Sequence, residues 1–294
     1  MKQNILRILI IALFIVGIGM VSYPTVSNEW NTYVQNRLIA NYESSLKEFE
    51  PEDYTSEWNK AREFNSTITE NSIGTDYFET GSSGNASSPT EQFFETEYYS
   101  VLNINGDGVM GYLSIPKINL KLPIMHGSFD NYLQKALGHM NGTALPIGSE
   151  GTHSVIVGHR GLPAAELFTN LDQMEIGDMF YIHVLDETLA YQVDNIEPMI
   201  EADDLEALSE AMAVEDGKDY VTLFTCTPYG VNTHRLLVRG IRVEYMGDDV
   251  TPTGTAAVVN TLRNYYLIIA FSAIIIALII ILIIRALLKR KQEN

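Results

Sequence analysis

Cys226 is the only cysteine of the chain, and it stands where a thiol could act as a nucleophile. The alternating apolar run Tyr220–Thr225 predicts a strand that delivers Cys226 to its end. A Pro- and Gly-containing loop follows, and a second apolar run starts at Arg235. A thiol beside a guanidinium suggests a nucleophile next to an oxyanion-stabilising group, which is the chemistry of acyl transfer. A buried structural cysteine is the alternative interpretation.

A catalytic thiol needs a basic partner, because its ordinary pKa of about 8.5 leaves it protonated at neutral pH. Among the six histidines, His159 fits best, since it follows the predicted strand His153–Val157 and so stands, like Cys226, at a strand end. His234 is the competitor, because it is near Cys226 in sequence. Neighbouring residues of a strand point to opposite faces, so His234 and Arg235 should not both face the thiol. The remaining histidines are interpreted as structural or solvated: His126, His139, His153 and His183.

The composition excludes several classes of function. The formal net charge of −18 argues against binding to nucleic acid, whose phosphates would be repelled. One cysteine cannot form an intramolecular disulfide. The sequence contains neither a glycine-rich phosphate loop nor a paired-cysteine metal pattern, so we expect no cofactor and no metal.

Two apolar runs flank the chain and predict a membrane protein. Ile5–Val21 is interpreted as an uncleaved anchor rather than a cleaved signal, and Leu267–Ile284 as a C-terminal transmembrane helix. Basic residues flank both runs on their outer ends, so the positive-inside rule predicts cytoplasmic termini and an extracellular middle portion. That middle portion carries 36 acidic and 13 basic residues, a net charge near −23.

The segments between the two runs divide into helices, a linker and strands. A four-residue spacing of apolar residues predicts a helix from Ser27 or Asn28, and a second helix covers Asp53–Phe64. Residues 65–97 are rich in Ser, Thr, Gly and Asn, which is typical of a linker. The strands predicted further on are Val109–Ile115, Ile118–Met125, His153–Val157, Met179–Val184, Leu189–Ile196, Tyr220–Thr225 and Arg235–Tyr245. The short helices predicted between them are Asn131–Leu137, Ala164–Leu171 and Asp203–Met212. Many short strands with few long helices indicate a mainly β fold, a closed barrel or a sandwich.

At the residues singled out above, the chain resembles the sortase family. Thr222-Leu223-Phe224-Thr225-Cys226 is similar to the Thr-Leu-x-Thr-Cys signature of that family, and Gly158–Gly161 and His234–Gly240 match its histidine and arginine segments. The stretch from Cys226 to Gly240 resembles the class C, pilin-polymerising subgroup. Three further segments resemble the same subgroup: Gly111–Ile118, Leu162–Phe168 and Tyr23–Asn28.

This resemblance implies a membrane-anchored cysteine transpeptidase with an eight-stranded β-barrel outside a Gram-positive cell. Cys226 would be the nucleophile, His159 the acid and base, and Arg235 the group that stabilises the oxyanion or positions the substrate. The enzyme would cleave a Leu-Pro-x-Thr-Gly-like sorting signal between Thr and Gly. It would then transfer the acyl group to a lysine amine of a pilin, so pilin subunits are the implied partners.

The resemblance also implies a lid, because class C members carry an Asp-Pro-aromatic plug ahead of the barrel. Here the nearest equivalent is Asp76-Tyr77-Phe78, in which tyrosine replaces proline. We hypothesise that Asp76 contacts Arg235 and that Phe78 covers Cys226 at rest. A linker without a lid is the alternative interpretation.

Taken together, the sequence predicts seven segments. They are an N-terminal anchor (1–22), N-terminal helices (23–64), a linker with the lid (65–108), the barrel (109–247), a spacer (248–266), a transmembrane helix (267–284) and a basic tail (285–294). Two other functions stay open. The first is a sortase that anchors surface proteins to peptidoglycan, and the second is a non-catalytic membrane scaffold.

Overall fold

The computed structural model describes residues 2–68, 88–247 and 249. Eight strands lie between residues 109 and 243, and they close into one barrel in the order β1-β2-β3-β4-β7-β8-β6-β5. In chain order they are β1 Val109–Ile115, β2 Leu120–His126, β3 Leu137–His139, β4 Thr152–Val157, β5 Met179–Val184, β6 Glu187–Glu201, β7 Asp219–Thr227 and β8 His234–Val243. The prediction of a mainly β, closed eight-stranded barrel is confirmed.

Strands β4, β7 and β8 lie side by side and form the wall on which the site is built. β4 pairs in parallel with β7, and β7 pairs in antiparallel fashion with β8. Successive side chains of a strand point to opposite faces, so this wall has two surfaces. The inner surface belongs to the main core, with Ile156, Leu223 and Val238 buried. The outer surface contributes to a second apolar cluster.

The N-terminal helix α1 runs without a break over Lys2–Leu46 and contains Pro24. The cap predicted at Ser27 or Asn28 is wrong, because the apolar run continues directly into the following helical segment. The side chain of Asn28 instead accepts a hydrogen bond from the backbone N–H of Glu166 at 3.1 Å. Among the described residues, α1 is the one helix long and apolar enough to cross a membrane, with a mean hydropathy of 1.9 in its most apolar window.

Residues 28–251 form one compact unit, and the C-terminal part of α1 packs within it. The side chains of α1 buried there are Gln35, Ile39, Tyr42 and Leu46. Trp30, which belongs to the four-residue series of apolar residues from which the helix was predicted, is 65% exposed. Steps of four residues rotate by about 40° each around a helix of 3.6 residues per turn, so a strict four-residue series leaves the buried face. Residues 2–27 belong to the other unit.

The second helix, α2 Pro51–Thr67, begins at a capping box formed by Glu50 and Asp53. It buries Trp58, Ala61 and Phe64. Within the described residues, four shorter helices follow: α3 Glu91–Phe94, α4 Glu97–Ser100, α5 Asp130–Leu133 and α6 Leu205–Ala211.

Two predicted short helices are also wrong. The helix predicted at Asn131–Leu137 is the single turn α5, after which the chain extends into β3. The helix predicted at Ala164–Leu171 is absent, and a 3₁₀ turn at Leu171–Gln173 is the only helical structure there. Leu167 adopts a left-handed conformation with φ 38°, which a right-handed helix excludes. In the segment Ala164–Leu171, the buried apolar residues contact the core individually and do not form one face of a helix.

Candidate active site

Cys226 occupies the next-to-last position of β7, and its side chain is a half-buried free thiol. Across the strand pair it faces Arg235, the second residue of β8. Directly opposed residues of an antiparallel pair project to the same side, so the thiol and the guanidinium share the outer surface of the wall. The structure therefore brings these two predicted residues together.

His159 follows the end of β4 by two residues and is held beside the end of β7 by two hydrogen bonds that flank it. The hydroxyl of Thr225 donates to the carbonyl oxygen of Gly158 at 2.7 Å, and the guanidinium of Arg160 donates to the hydroxyl of Thr227 at 3.0 Å. Val157 and Phe224, two residues before His159 and Cys226, are register partners in the outer cluster. These contacts hold the chain at His159 against the end of β7 that carries Cys226.

Gly158 is required for this close approach. A Cβ atom there would lie 2.5 Å from the ring of Phe168 and 2.7 Å from the side chain of Leu137, closer than packed atoms can be. The residue before His159 must therefore lack a side chain, because the loop crosses directly over buried apolar groups.

Arg235 is 6% exposed, and its guanidinium donates to the backbone carbonyl oxygens of Asn232 and His234, each at 3.1 Å. These contacts tie it to the loop between β7 and β8. His234 stands opposite Thr227, not opposite Cys226, and its ring contacts the hydroxyl of Thr233 at 2.9 Å. The structure thus separates His234 from the face of the thiol, as the alternation of β-strand side chains requires.

A buried apolar cluster lies on the outer surface of the wall. Val155 and Val157 of β4, Phe224 of β7 and Leu237 of β8 form its floor, and α6 covers it with Leu208. All five side chains are buried, so this cluster fixes α6 on the wall and supports the strand end that carries Cys226.

Asp130 is a contact of the site that the sequence did not indicate. Its carboxylate oxygen lies 3.4 Å from Nε2 of His159, and the Asp130 side chain is 51% exposed. Asp130 opens α5, and the preceding Phe129 packs edge-to-face on Phe93 with ring centroids 4.7 Å apart. No spacing rule connects Asp130 with His159, because their proximity depends on how two loops fold over the barrel end.

The polar side of α1 holds the loops on both sides of His159. Asn31 donates to the carbonyl oxygen of Ala164 at 2.8 Å, and Gln35 donates to that of Lys135 at 2.8 Å. Together with the contact of Asn28 described above, these bonds connect α1 to the segment after α5 and to the segment after His159. The N-terminal helix is therefore part of the scaffold of the site.

The four histidines without a predicted chemical role are structural. All have lowered pKa values, and burial is the main cause: about 3 for His139, about 4 for His153 and for His183, and below the ordinary value for His126. Each ring contacts oxygen atoms; His139, for example, lies 2.8 Å from the hydroxyl of Tyr98 and 2.8 Å from the carbonyl of Ala144. They are neutral, saturated groups inside the fold.

The predicted lid residues Asp76 and Phe78 lie outside the described residues, as does the run Leu267–Ile284. Within the described residues, no group of three or more His, Cys, Asp or Glu side chains could hold a metal ion.

A closed β-barrel with a thiol, an imidazole and a guanidinium at the ends of three adjacent strands defines a cysteine-dependent acyl-transfer enzyme. Comparison with known proteins agrees with this class. Residues 113–243 match the model of the sortase domain. Sortase C1 from Streptococcus agalactiae is 44% identical, and the match covers 71% of this chain and 99% of that chain with a TM-score of 0.59. The chain therefore belongs to the sortase family.

Further matches place the chain within that family. A sortase C from Streptococcus pneumoniae is 39% identical over 71% of this chain and 97% of that chain, with a TM-score of 0.58. These neighbours are class C sortases, and the resemblance seen in the sequence is confirmed. Sortase D of Bacillus subtilis is 28% identical over 136 residues, which is 45% of this chain. The chain spans 63% of that curated relative, less than two thirds of its length.

Proposed function

We propose that this protein is a membrane-anchored transpeptidase that cleaves a Leu-Pro-x-Thr-Gly-like sorting signal and joins the acyl product to a lysine amine of a pilin. The observation that carries the proposal is the register of the wall, which sets Cys226 directly opposite Arg235 with His159 at the adjoining strand end. The Streptococcus pneumoniae relative, whose structure is described in terms of pilin substrate specificity, supports the choice of substrate.

In the first half-reaction the thiolate of Cys226 attacks the carbonyl carbon of the threonine. The oxyanion that forms is stabilised by the guanidinium of Arg235, which is buried on the same surface. The imidazolium of His159 then gives its proton to the departing glycine amine as the Thr–Gly bond breaks. A thioester between Cys226 and the threonine remains.

In the second half-reaction an amine takes the place of the glycine. A neutral lysine Nζ attacks the thioester carbonyl, its excess proton passes to His159, and the sulfur leaves as a thiolate. An isopeptide bond forms and the thiolate–imidazolium pair is restored. The cycle needs no cofactor, oxidant or reductant, since one amine simply replaces another.

The proposal includes the location and the segments of the protein. The apolar start of α1 is long enough for a membrane anchor, and the basic residues outside both apolar runs support cytoplasmic termini with an extracellular barrel. We keep the segment boundaries given by the sequence, including a C-terminal anchor over 267–284.

A thioester test decides between catalysis and a scaffold. The protein is co-expressed with candidate sorting-signal substrates, and intact-mass spectrometry searches for an adduct on Cys226 and for an isopeptide-linked product. The proposal predicts both species, and neither with Cys226→Ala. A thiol that resists alkylation in detergent-solubilised protein from which 65–97 has been deleted, together with no adduct, would favour the scaffold. A product linked to cell-wall peptides instead of lysine would favour peptidoglycan anchoring.

The lid is tested separately. We propose that Asp76 and Phe78 cover the site at rest, so Phe78→Ala should raise the rate at which Cys226 is alkylated. An exposed aromatic elsewhere, Tyr245→Ala, serves as the control substitution. An unchanged alkylation rate in the Phe78 variant would reject the lid.

A further inference from the structure

Trp30 and Tyr33 form an exposed aromatic face on α1. Their side chains are 65% and 58% exposed, and their ring centroids lie 5.9 Å apart. At 100° per residue they project from the side of the helix opposite to Asn31 and Gln35, which hold the loops of the active site. Large aromatic rings standing outside a core indicate a surface that is covered by something else.

The helix itself indicates what covers this face, because α1 continues without interruption from the apolar run into the aromatic face. About 20 helical residues cross the hydrocarbon layer, so a span that starts at Ile5 ends near Pro24. Trp30 then lies about 9 Å further along the axis at 1.5 Å per residue. Side chains of a helix lean toward its N-terminus, which here is the side of the bilayer, and a tilted helix brings one face lower still. At six residues past the end of such a span, the indole is within reach of the headgroup layer.

The residue types fit that layer. Tryptophan and tyrosine combine an apolar ring with one polar group, and they concentrate at the boundary between lipid and water. Arg37 is exposed one turn beyond Tyr33 on the same side and can meet lipid phosphates. The portion between the apolar runs is strongly acidic, so attraction of its overall charge to anionic lipid cannot provide the contact. Insertion of the aromatic rings between lipid headgroups can provide it.

We propose that the face of α1 formed by Trp30 and Tyr33 docks in the lipid headgroup layer of the membrane that holds the anchor. The inference rests on the proposed membrane anchoring and adds an orientation to it. One side of the helix then contacts lipid, while the other side holds the backbone of Ala164, in the segment after His159, and that of Lys135, in the segment after α5. The active site thereby keeps one orientation relative to the membrane surface, which suits substrates that are anchored in the same membrane.

The two tryptophans of the chain make a matched pair for the test. Trp58 is 6% exposed and donates to Asp186 at 2.8 Å, so it reports the protein interior. Full-length protein is placed in phosphatidylcholine vesicles whose acyl chains carry bromine near the headgroup, a quencher of indole fluorescence. Trp58→Phe leaves Trp30 as the reporter, and Trp30→Phe leaves Trp58. Should Trp58→Phe fail to fold, the difference between wild type and Trp30→Phe gives the same quantity.

We expect bromolipid to reduce the emission of Trp30 by about twofold or more and to leave Trp58 nearly unchanged, independent of the protein-to-lipid ratio. Vesicle flotation measures anchoring in the same samples. Protein that floats with the vesicles but shows unquenched Trp30 keeps its anchor and overturns the docking. Quenching that disappears as the protein is concentrated in the vesicles points to a second copy on this face and also overturns it. Protein that does not float overturns both the docking and the anchor.

Discussion

Strands β4, β7 and β8 present a histidine, a sulfur or hydroxyl group and an arginine twice on the same outer surface, once at each end. The set at the candidate active site is His159, Cys226 and Arg235, and the set at the opposite end is His153, Thr222 and Arg239. Val155, Val157, Phe224 and Leu237 lie between the two sets. The comparison shows which features distinguish a set of these residues that stabilises the fold from a set that can react.

At the end that carries His153, the polar groups are satisfied by hydrogen bonds to other residues of the protein. Nε2 of His153 lies 2.7 Å from the hydroxyl of Thr222, and Nδ1 lies 2.8 Å from the carbonyl of Ala213. Arg239 donates to both carboxylate oxygens of Asp194, at 2.7 and 3.1 Å, and its guanidinium lies 4.0 Å above the ring of Tyr220. Burial lowers the pKa of His153 to about 4, so the ring is neutral at physiological pH.

At the other end the groups are positioned but remain accessible. His159 is 30% exposed, its contact to Asp130 is long at 3.4 Å, and Cys226 is half-buried. An imidazole that accepts and releases protons needs access to solvent and substrate. A buried imidazole that joins two strands instead needs hydrogen-bond partners for both ring nitrogens. Burial and the distance to partners, rather than residue type, separate the two ends.

The largest difference is expected between substitutions of Cys226 and Thr222, the middle residues of the two sets. Cys226→Ala should lower transpeptidation by at least about a thousandfold, because no covalent intermediate can form. Thr222→Ala should retain turnover while losing about 1–3 kcal/mol of unfolding free energy, because His153 loses a buried partner. Product formation by mass spectrometry and urea unfolding measure the two effects. Activity in Cys226→Ala would contradict the assignment.

Substitution of the histidines should divide in the same way. His159→Ala is expected to lower kcat/KM by about 10²–10⁴, the range typical of a lost general acid or base, with little change in unfolding free energy. His153→Ala should do the reverse, destabilising the fold by about 1–3 kcal/mol. Equal losses of stability in both variants would remove the distinction between the two ends.

The arginines provide a test of geometry at constant charge. Arg235→Lys should reduce kcat/KM by about 10²–10³, because an ammonium cannot reproduce the planar fork beside the oxyanion. Arg239→Lys loses the paired contact with Asp194 and should lower only the unfolding free energy, by about 1 kcal/mol. Steady-state kinetics beside thermal unfolding separate the outcomes, and wild-type rates in the Arg235→Lys enzyme would reject the role of Arg235.

The smallest effect concerns pH. The folded-state pKa values of His139, His153 and His183, about 3, 4 and 4, lie below the ordinary value of about 6.5, so the unfolded chain binds more protons below that pH. The unfolding free energy that these neutral histidines contribute is therefore fully present above about pH 6.5, and it is lost as the pH falls below that value. Asp219, whose pKa burial raises to about 6, acts in the opposite direction.

Together, these three histidines and Asp219 take up about two protons on unfolding near pH 5, which corresponds to roughly 3 kcal/mol per pH unit. Urea unfolding at pH 5 and pH 6 measures the slope, and His153→Ala should make it shallower. A flat or inverted slope would show that the histidines are not held neutral in the folded protein.

The sequence predicted most of the barrel because its strands carry the pattern of their environment. Val109–Ile115 and Met179–Val184 have the same bounds in the structure as in the prediction. The failures lie where tertiary contacts override local preference. The strand Leu137–His139 has only three residues, too few for a period to show, and Leu167 is held in a left-handed conformation that its residue type does not suggest.

For the site, strand ends could be located from the pattern, and alternation correctly separated His234 from the side of Arg235. The position of Asp130 beside His159 and the contacts of Asn31 with Ala164 could not be predicted. These residues are 29 and 133 positions apart, and their meeting depends on loop paths that carry no periodic signal.

The polar side of α1 decides where the protein can be cut for production in soluble form. A fragment that begins at the barrel discards Asn28, Asn31 and Gln35, and it leaves the backbone of the two loops around His159 without their partners. A fragment that begins at Asn28 keeps all three bonds and omits the apolar run. The first also loses the core side chains of α1 and α2, so it should be both less stable and less active. The second should report the chemistry of the whole enzyme.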